Sequence, residues 1–210
     1  MLLHLVTDPR YDRAKLLAVV GAAVVNGADA IQVRDHGATA QELFELASAI
    51  IAIARPRGVA VTVNDRVDVA LAVNADGVQL GGRSLPIAVV RRIAPRLRVG
   101  ASVHDVAGAR LAEAAGADVL TFGHVFATSS HPGEEPRGLA ALAEVVAAVS
   151  LPVIAIGGID LENLEAVSQT GAAGIAVISA ILGAPEPAGV TRALRAALDA
   201  TIGHPRASHG

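Results

Sequence analysis

The sequence of 210 residues predicts an α/β fold, a single (β/α)8 barrel in which strands and helices alternate. Short runs rich in β-branched residues alternate with longer amphipathic segments rich in Ala, Leu and Glu, the pattern of repeated βα units around a parallel sheet. Eight such pairs can be counted, which is the number that closes the barrel. The length agrees, because α/β barrels use roughly 200 to 250 residues as one domain.

The predicted strands are apolar runs bounded by Gly, Pro, Asn or Asp. They are Leu2–Val6, Ala30–Arg34, Ala60–Val63, Gly77–Leu80, Leu97–Val103, Asp118–Phe122, Pro152–Ile156 and Gly174–Ile178. Helices are expected near residues 12–26, 40–54, 66–74, 86–95, 106–115, 138–149, 161–170 and 187–200. The barrel is thus expected to span residues 1–200. Residues 201–210 mix Gly, Pro, Ser and His without periodicity and are expected to form a flexible tail.

A short turn recurs before four of the predicted strands. It consists of residues 26–29 (NGAD), 74–76 (NAD), 115–118 (AGAD) and 170–173 (TGAA). Glycine in such a turn ends the preceding helix in a left-handed conformation, and the residue that follows starts the strand. These turns are predicted to be structural and to lie at the face of the barrel that serves stability.

The composition excludes several classes of protein. The chain has no cysteine, which rules out disulfides, thiolate metal sites and a cysteine nucleophile. Lys15 is the only lysine and lies in the first predicted helix, away from the strand ends where a Schiff-base aldolase needs its nucleophile.

The same composition bears on partners and location. Four aromatic residues and a net charge of −3 argue against nucleic-acid binding. The apolar runs are too short to span a membrane, and the N-terminus has the pattern of a first strand and not of a signal peptide. We therefore expect a cytoplasmic protein that acts on a small molecule, and the oligomeric state stays open, with a homo-oligomer as one option.

The ends of the last two strands indicate a phosphate site. Gly157 and Gly158 follow the seventh strand, and Ile178 and Ser179 follow the eighth. This is the usual phosphate site of such barrels, where glycine lets backbone amides approach an anion and a helix N-terminus adds a favourable dipole. The alternative is a pair of tight turns. We expect a phosphorylated substrate held by these four residues.

A histidine after the sixth strand is the candidate acid/base group. His124 opens the longest loop without predicted structure, residues 126–137, which could close over a ligand. An imidazole can give and take protons near neutral pH without a metal. His104, one strand earlier, could orient a ligand or pack structurally, and Thr128 on the loop is expected to contact substrate.

Other polar residues at strand ends are expected to bind substrate: Gln32, Arg34, Asn64 and Ser102. The guanidinium of Arg34 could hold a carboxylate or phosphate through two hydrogen bonds. A metal site is poorly supported, because Asp65 beside Asn64 has no second carboxylate at the end of the fourth strand. Asp65 could instead cap the following helix.

These residues resemble the thiamine phosphate synthase superfamily over nearly the whole chain. The resemblance rests on the segments IQVRDH (31–36), VNDRVDVAL (63–71), GVQL (77–80), GASVH (100–104), AIGG (155–158) and GIAVISAI (174–181). It implies one of two activities on this barrel. The synthase joins a pyrimidine diphosphate to a thiazole phosphate with Mg²⁺, and the TenI-like thiazole tautomerase aromatises a thiazole carboxylate phosphate without a cofactor.

Three positions depart from the synthase pattern. His36 and His131 stand where the resemblance implies lysines that meet the diphosphate, and Ser84 stands where it implies a magnesium-binding aspartate. Loss of these charges is expected to cost several kcal/mol of leaving-group stabilisation, roughly. The tautomerase branch is matched by FGHVF (122–126), and the resemblance implies that His124 is its acid/base.

The sequence-based hypothesis is therefore a thiazole tautomerase without metal or cofactor, with a phosphorylated thiazole as its substrate. The synthase, with Mg²⁺, is the alternative. A regulator that binds thiazole phosphate without turnover is the third possibility, because a fold does not guarantee chemistry.

Overall fold

Eight parallel strands pair in chain order and close into a barrel, with the first strand hydrogen-bonded to both the second and the eighth. The computed structural model describes residues 1–130 and 133–202. The strands are β1 (Leu2–Val6), β2 (Ala30–Val33), β3 (Ala60–Asn64), β4 (Gly77–Leu80), β5 (Arg98–Val103), β6 (Val119–Gly123), β7 (Val153–Ile156) and β8 (Gly174–Val177). The predicted single (β/α)8 barrel is confirmed.

Helices follow the strands on the outside of the barrel. They are α1 (Arg13–Val25), α2 (Ala40–Ala54), α3 (Val67–Ala72), α4 (Ile87–Ile93), α5 (Val106–Ala114), α6 (Gly138–Ala148), α7 (Leu164–Gln169), α8 (Ser179–Leu182) and α9 (Pro187–Ile202). No helix in the described part of the chain is both long and apolar enough to cross a membrane.

Several predicted boundaries were wrong by a residue or more. Strand β2 ends at Val33, because the amide of Arg34 donates to Thr7 Oγ1 at 2.7 Å and leaves the strand ladder. The short helix α8 was not predicted as a helix of its own, since four residues carry too little periodicity. Helix α9 continues to Ile202, past the predicted domain end at residue 200. Residues 203–210 of the predicted tail lie outside the described residues.

Alternate residues of each strand face the two sides of the sheet, as the period of two requires. One side packs against the helices in the main apolar core, which includes Leu3, Leu5 and Ile31. The other side faces the barrel interior, where a small apolar cluster contains Val6, Ile154 and Ala176. The interior is apolar over only part of its length, and polar side chains occupy the rest.

Three of the recurring turns fasten neighbouring strands together. The carboxylates of Asp29, Asp76 and Asp118 each accept a hydrogen bond of 2.7 Å from the amide of a residue in the preceding strand. Each of these aspartates also donates its own amide to a carbonyl of that strand. The predicted structural role of the turns is thereby explained, because they satisfy backbone groups at the strand starts.

Candidate functional site

A cavity of about 520 Å³ opens at the carboxyl ends of the strands. Its volume lies in the range of small-molecule sites, which are roughly 300–1,000 Å³. All the residues predicted for the site line it, and they come from the ends of six strands and the loops that follow them: Gln32, Arg34, Asn64, Ser102, His104, His124, Thr128, Gly157, Gly158, Ile178 and Ser179. The fold therefore brings the predicted site residues together, although their individual roles remain predictions.

A chain of hydrogen bonds crosses the ends of β2, β3 and β4. Gln32 Nε2 donates to Asn64 Oδ1 at 2.8 Å, and Asn64 Nδ2 donates to Asp65 Oδ2 at 2.6 Å. The hydroxyl of Ser84 donates a hydrogen bond to Asp65 Oδ1 and accepts one of 2.7 Å from the amide of Gly81. Each polar group fixes the next, so this wall of the cavity is organised without a ligand.

The sequence had suggested that Asp65 could cap the following helix, but the structure shows that it does not. The N-cap position of α3 is Arg66, and no side chain caps the helix there. Asp65 instead turns towards the loop after β4, with a backbone φ of 61°. Left-handed backbone is tolerated by Asp more readily than by most residues, and the bonds to Asn64 and Ser84 hold the carboxylate in this direction.

A second polar network lies inside the barrel at the floor of the cavity, and the sequence analysis identified only Ser102 as a member of it. Gln79 Nε2 donates to Ser102 Oγ at 3.1 Å, and Thr121 Oγ1 donates to Gln79 Oε1 at 3.4 Å. Gly100 leaves the space that the amide of Gln79 fills, since a Cβ at that position would overlap Gln79 Oε1. The signal was available, because Gln79, Ser102 and Thr121 interrupt apolar strands at positions of the inward-facing parity.

His104 is held at the cavity edge by a backbone carbonyl. Its Nδ1 lies 2.8 Å from the carbonyl oxygen of Gly123, and Arg137 Nε donates to the same oxygen at 3.0 Å. A carbonyl only accepts, so the proton is assigned to Nδ1, and in the neutral ring Nε2 is the acceptor. His104 can therefore accept a hydrogen bond through Nε2.

His124 is buried, with 5% of its surface exposed, where β6 ends and the long loop starts. Its Nε2 lies 3.4 Å from the carbonyl oxygen of Glu134, and its own carbonyl accepts from the amide of Arg137 at 3.0 Å. The ring thus touches the loop that returns to α6 as well as the cavity. His131, on the same loop, lies outside the described residues.

The predicted phosphate end has the expected backbone. Gly157 and Gly158 have φ values of 104° and 65°, which favour glycine. A Cβ on Gly157 would overlap His124, and one on Gly158 would lie 2.5 Å from the carbonyl of Ala127. Ser179 begins α8, whose first amides have no partner within the helix. The two glycines are thus needed for packing of the loops, whether or not an anion binds.

Cationic side chains line a part of the cavity mouth away from the ends of β7 and β8. Arg34, His36 and Arg83 reach it from the loops after β2 and β4. Within residues 1–130 and 133–202, neither guanidinium forms an ion pair with a carboxylate. Partial burial, reinforced by the charge of Arg34, lowers the pKa of His36, and Asp65 opposes the shift.

The donor set of this wall does not fit a Mg²⁺ ion held by the chain. A carboxylate offers about four lone-pair directions. Oδ1 of Asp65 accepts hydrogen bonds from the hydroxyl of Ser84 and the amide of Gly81. Oδ2 accepts one from Asn64 Nδ2 and lies 3.6 Å from Nδ1 of His36. In the described part of the chain, no three His, Cys, Asp or Glu side chains form a group that could hold a metal.

Comparison with known proteins decides the family. The family model described as thiamine monophosphate synthase matches residues 3–181. The chain belongs to this family. The thiamine-phosphate synthase of Roseiflexus sp. is 43% identical over 96% of this chain and 86% of its own length. That of Pyrococcus horikoshii is 43% identical, covering 96% of each chain.

The fold of the family agrees with the barrel of this member. The structure described as thiamine phosphate pyrophosphorylase from Pyrococcus furiosus superimposes with a TM-score of 0.90 at 42% identity, covering 96% of this chain and 97% of that one. A crystal structure of 3-hexulose-6-phosphate synthase, with a TM-score of 0.76 and 23% identity, shares the fold alone.

These relatives correct the sequence-based hypothesis. The thiazole tautomerase was the wrong choice, and so was the isomerase class, because the relatives are thiamine-phosphate synthases that match nearly the whole chain. The hypothesis weighted three changed positions above the rest of the sequence. The structure shows that one of them, Ser84, is a hydrogen-bond partner of Asp65, and that His124 contacts the loop carbonyl of Glu134. Neither contact is specific to isomerisation.

Proposed function

We propose that this chain is a thiamine-phosphate synthase. It joins a hydroxymethylpyrimidine diphosphate to a thiazole phosphate and releases pyrophosphate. In this substitution the thiazole nitrogen forms a bond to the pyrimidine methylene carbon, and the bond from that carbon to the diphosphate oxygen breaks. The observation that carries the proposal is the identity of about 43% with thiamine-phosphate synthases over 96% of the chain.

The geometry of the cavity supports a substrate pair with an anion at each end. One end of the cavity mouth is formed by Gly157, Gly158 and Ser179, where glycine leaves the backbone accessible and α8 begins. This end suits the thiazole phosphate. Arg34 lies on the other side of the mouth, where its guanidinium suits the diphosphate. The rings would then meet between the two anions, over the polar floor that Gln79 and Ser102 form.

The side chains that line the cavity are expected to have different roles in this reaction. The hydrogen-bonded Gln32 and Asn64 are suited to orient the pyrimidine, since both amides are fixed before substrate binds. Arg34 offsets charge that grows on the departing diphosphate. Thr128 and His104 border the cavity where they can hold the second ring. His124 lies beside Gly157, on the thiazole side of the cavity, and is expected either to act as a general acid or to hold the covering loop in place.

The direct test supplies both substrates and Mg²⁺ to the purified protein and measures pyrophosphate release together with thiamine phosphate. We expect equal amounts of the two products, and none when the thiazole phosphate is left out. Arg34→Gln should lower the rate by about 10² or more, since a charge-assisted contact to the leaving group is lost. Arg96→Gln, at an exposed arginine outside the cavity, is the matched control and should leave the rate unchanged.

Two results would contradict the proposal. If both substrates bind but no pyrophosphate appears, the chain is not a synthase. Binding of thiazole phosphate without any turnover would favour the regulator instead.

A further inference from the structure

In the wall of the cavity, the carboxylate of Asp65 is surrounded by hydrogen-bond donors of the protein, which occupy the directions a metal ion would need. Asp65 is half-buried and receives donors from Asn64, Ser84 and Gly81. A hard divalent cation competes with such donors for the same lone pairs, and these donors are neutral groups fixed by the fold. The carboxylate is therefore already satisfied by the protein.

Positive charge comes instead from arginine. Arg83 directly precedes Ser84 in the loop after β4 and lines the cavity, as does Arg34 from the loop after β2. His36 lies near both guanidiniums and 3.6 Å from Asp65. Neither arginine is paired with a carboxylate in the described parts of the chain, so both are available to an anion. Guanidinium groups bind phosphate oxygens through two parallel hydrogen bonds.

We infer that Arg83, together with Arg34, forms an anion subsite that binds a diphosphate without a divalent cation held by the chain. Asp65 and Ser84 form its closed wall and not a metal site. The diphosphate assignment rests on the proposed function, whereas the anion subsite and the closed carboxylate rest on the structure. Any Mg²⁺ in the reaction then arrives as a complex with the diphosphate.

The test is binding of inorganic pyrophosphate to the full chain, measured by calorimetry in EDTA and in Mg²⁺. We expect binding in EDTA, with an affinity within about threefold of that in Mg²⁺. Arg83→Gln should weaken pyrophosphate binding about tenfold, as expected when a charge-assisted contact is lost. Arg96→Gln is the matched control and should bind as the unmodified protein does.

The closed wall is tested separately with Mn²⁺ as a spectroscopic substitute for Mg²⁺. The unmodified protein should bind no Mn²⁺ at millimolar concentration in the absence of pyrophosphate. Ser84→Asp replaces the donor with a second carboxylate and should bind Mn²⁺, which should also raise its thermal midpoint. Ser84→Ala removes the donor without adding charge and controls for the loss of the hydroxyl.

The inference is overturned if pyrophosphate binds only when Mg²⁺ is present, if Arg83→Gln binds pyrophosphate unchanged, or if the unmodified protein binds Mn²⁺ alone. None of these measurements requires turnover. A protein that binds pyrophosphate as expected but makes no thiamine phosphate would therefore contradict the proposed function and leave this inference standing.

Discussion

His124 shows how one side chain can serve both a loop and a cavity. It is almost fully buried, lines the cavity and lies 3.4 Å from the carbonyl of Glu134. The sequence could indicate an imidazole at a strand end, but the contact with Glu134 depends on how the loop returns to α6. A test of His124 must therefore distinguish a catalytic role of the ring from a role in positioning the loop.

We expect His124→Asn to lower kcat for thiamine phosphate formation by about 10², because general acid catalysis contributes at least that much when a positioned group is removed. Steady-state kinetics across pH 5.5 to 8.5 is the measurement. A raised KM with kcat and its pH profile unchanged would show that the ring only holds the loop.

At the scale of secondary-structure elements, the turns and loops at the two ends of the strands serve different purposes. At the amino ends, aspartates such as Asp118 satisfy backbone amides of the neighbouring strand. At the carboxyl ends, Gly157 and Gly158 let the loop after β7 pack against the loop after β6, and Asn163 donates to the carbonyl of Gly158 at 2.8 Å. The first arrangement stabilises the barrel, and the second shapes the cavity.

Gly158→Ala should lower the free energy of unfolding by about 1–3 kcal/mol. The left-handed backbone and the crowding against Phe126 and Ala127 both oppose a Cβ at this position. Urea unfolding of the variant gives the cost. Gly82→Ala is the matched control, since a Cβ there meets nothing within 4 Å, and its stability should change by less than about 0.5 kcal/mol. Equal stability of the two variants would contradict the packing argument.

Asp118→Ala should cost about 1–3 kcal/mol, because the amide of the fully buried Val99 loses its acceptor. Asp118→Asn keeps an acceptor oxygen and loses only the partly exposed ion pair with Arg91, so it should cost less. Thermal and urea unfolding of both variants provide the comparison. An Asn variant as unstable as the Ala variant would assign the effect to the ion pair.

The barrel as a whole encloses a titratable group that does not line the cavity. His4 lies on β1 with inward-facing parity, near the amino ends of the strands. Burial lowers the pKa of His4, Asp29 raises it and Arg98 lowers it further, with burial the largest of these effects. Because the strands form one closed sheet, protonation of His4 affects the stability of the whole barrel.

We predict that acidification below about pH 6.5, the ordinary value for histidine, destabilises the protein through His4. The unfolded chain takes up the proton first, so stability is lost as pH falls from that value towards the lowered folded pKa, and is unaffected well above it. Urea unfolding at several pH values tests this, with His4→Gln as the comparison. The variant should lose less stability over this interval, and an equal loss would show that other groups cause it. His36, whose pKa is also lowered, is present in both proteins and cancels.

The fold class and part of the cavity lining could be predicted from the sequence alone. Parallel strands place their carboxyl ends at one mouth, so residues such as Arg34, His124 and Ser179 could be assigned to it from their positions after predicted strands. Some strand boundaries were predicted wrongly, because a hydrogen bond to a side chain, such as that from the amide of Arg34 to Thr7 Oγ1, ends a strand without changing its apolar pattern.

The contacts that those side chains make depend on the tertiary structure. Asp65 and Ser84 are 19 positions apart in the chain, and their hydrogen bond exists because β3 and β4 are neighbours whose loops fold towards each other. The same holds for Gln79 and Thr121, which meet inside the barrel across β5. Local pattern fixes which residues face the mouth, but hydrogen-bond partners depend on distances between segments that the sequence separates. Whether Asp65 caps the following helix or accepts hydrogen bonds from Asn64 and Ser84 was therefore decided by the packing of the two loops.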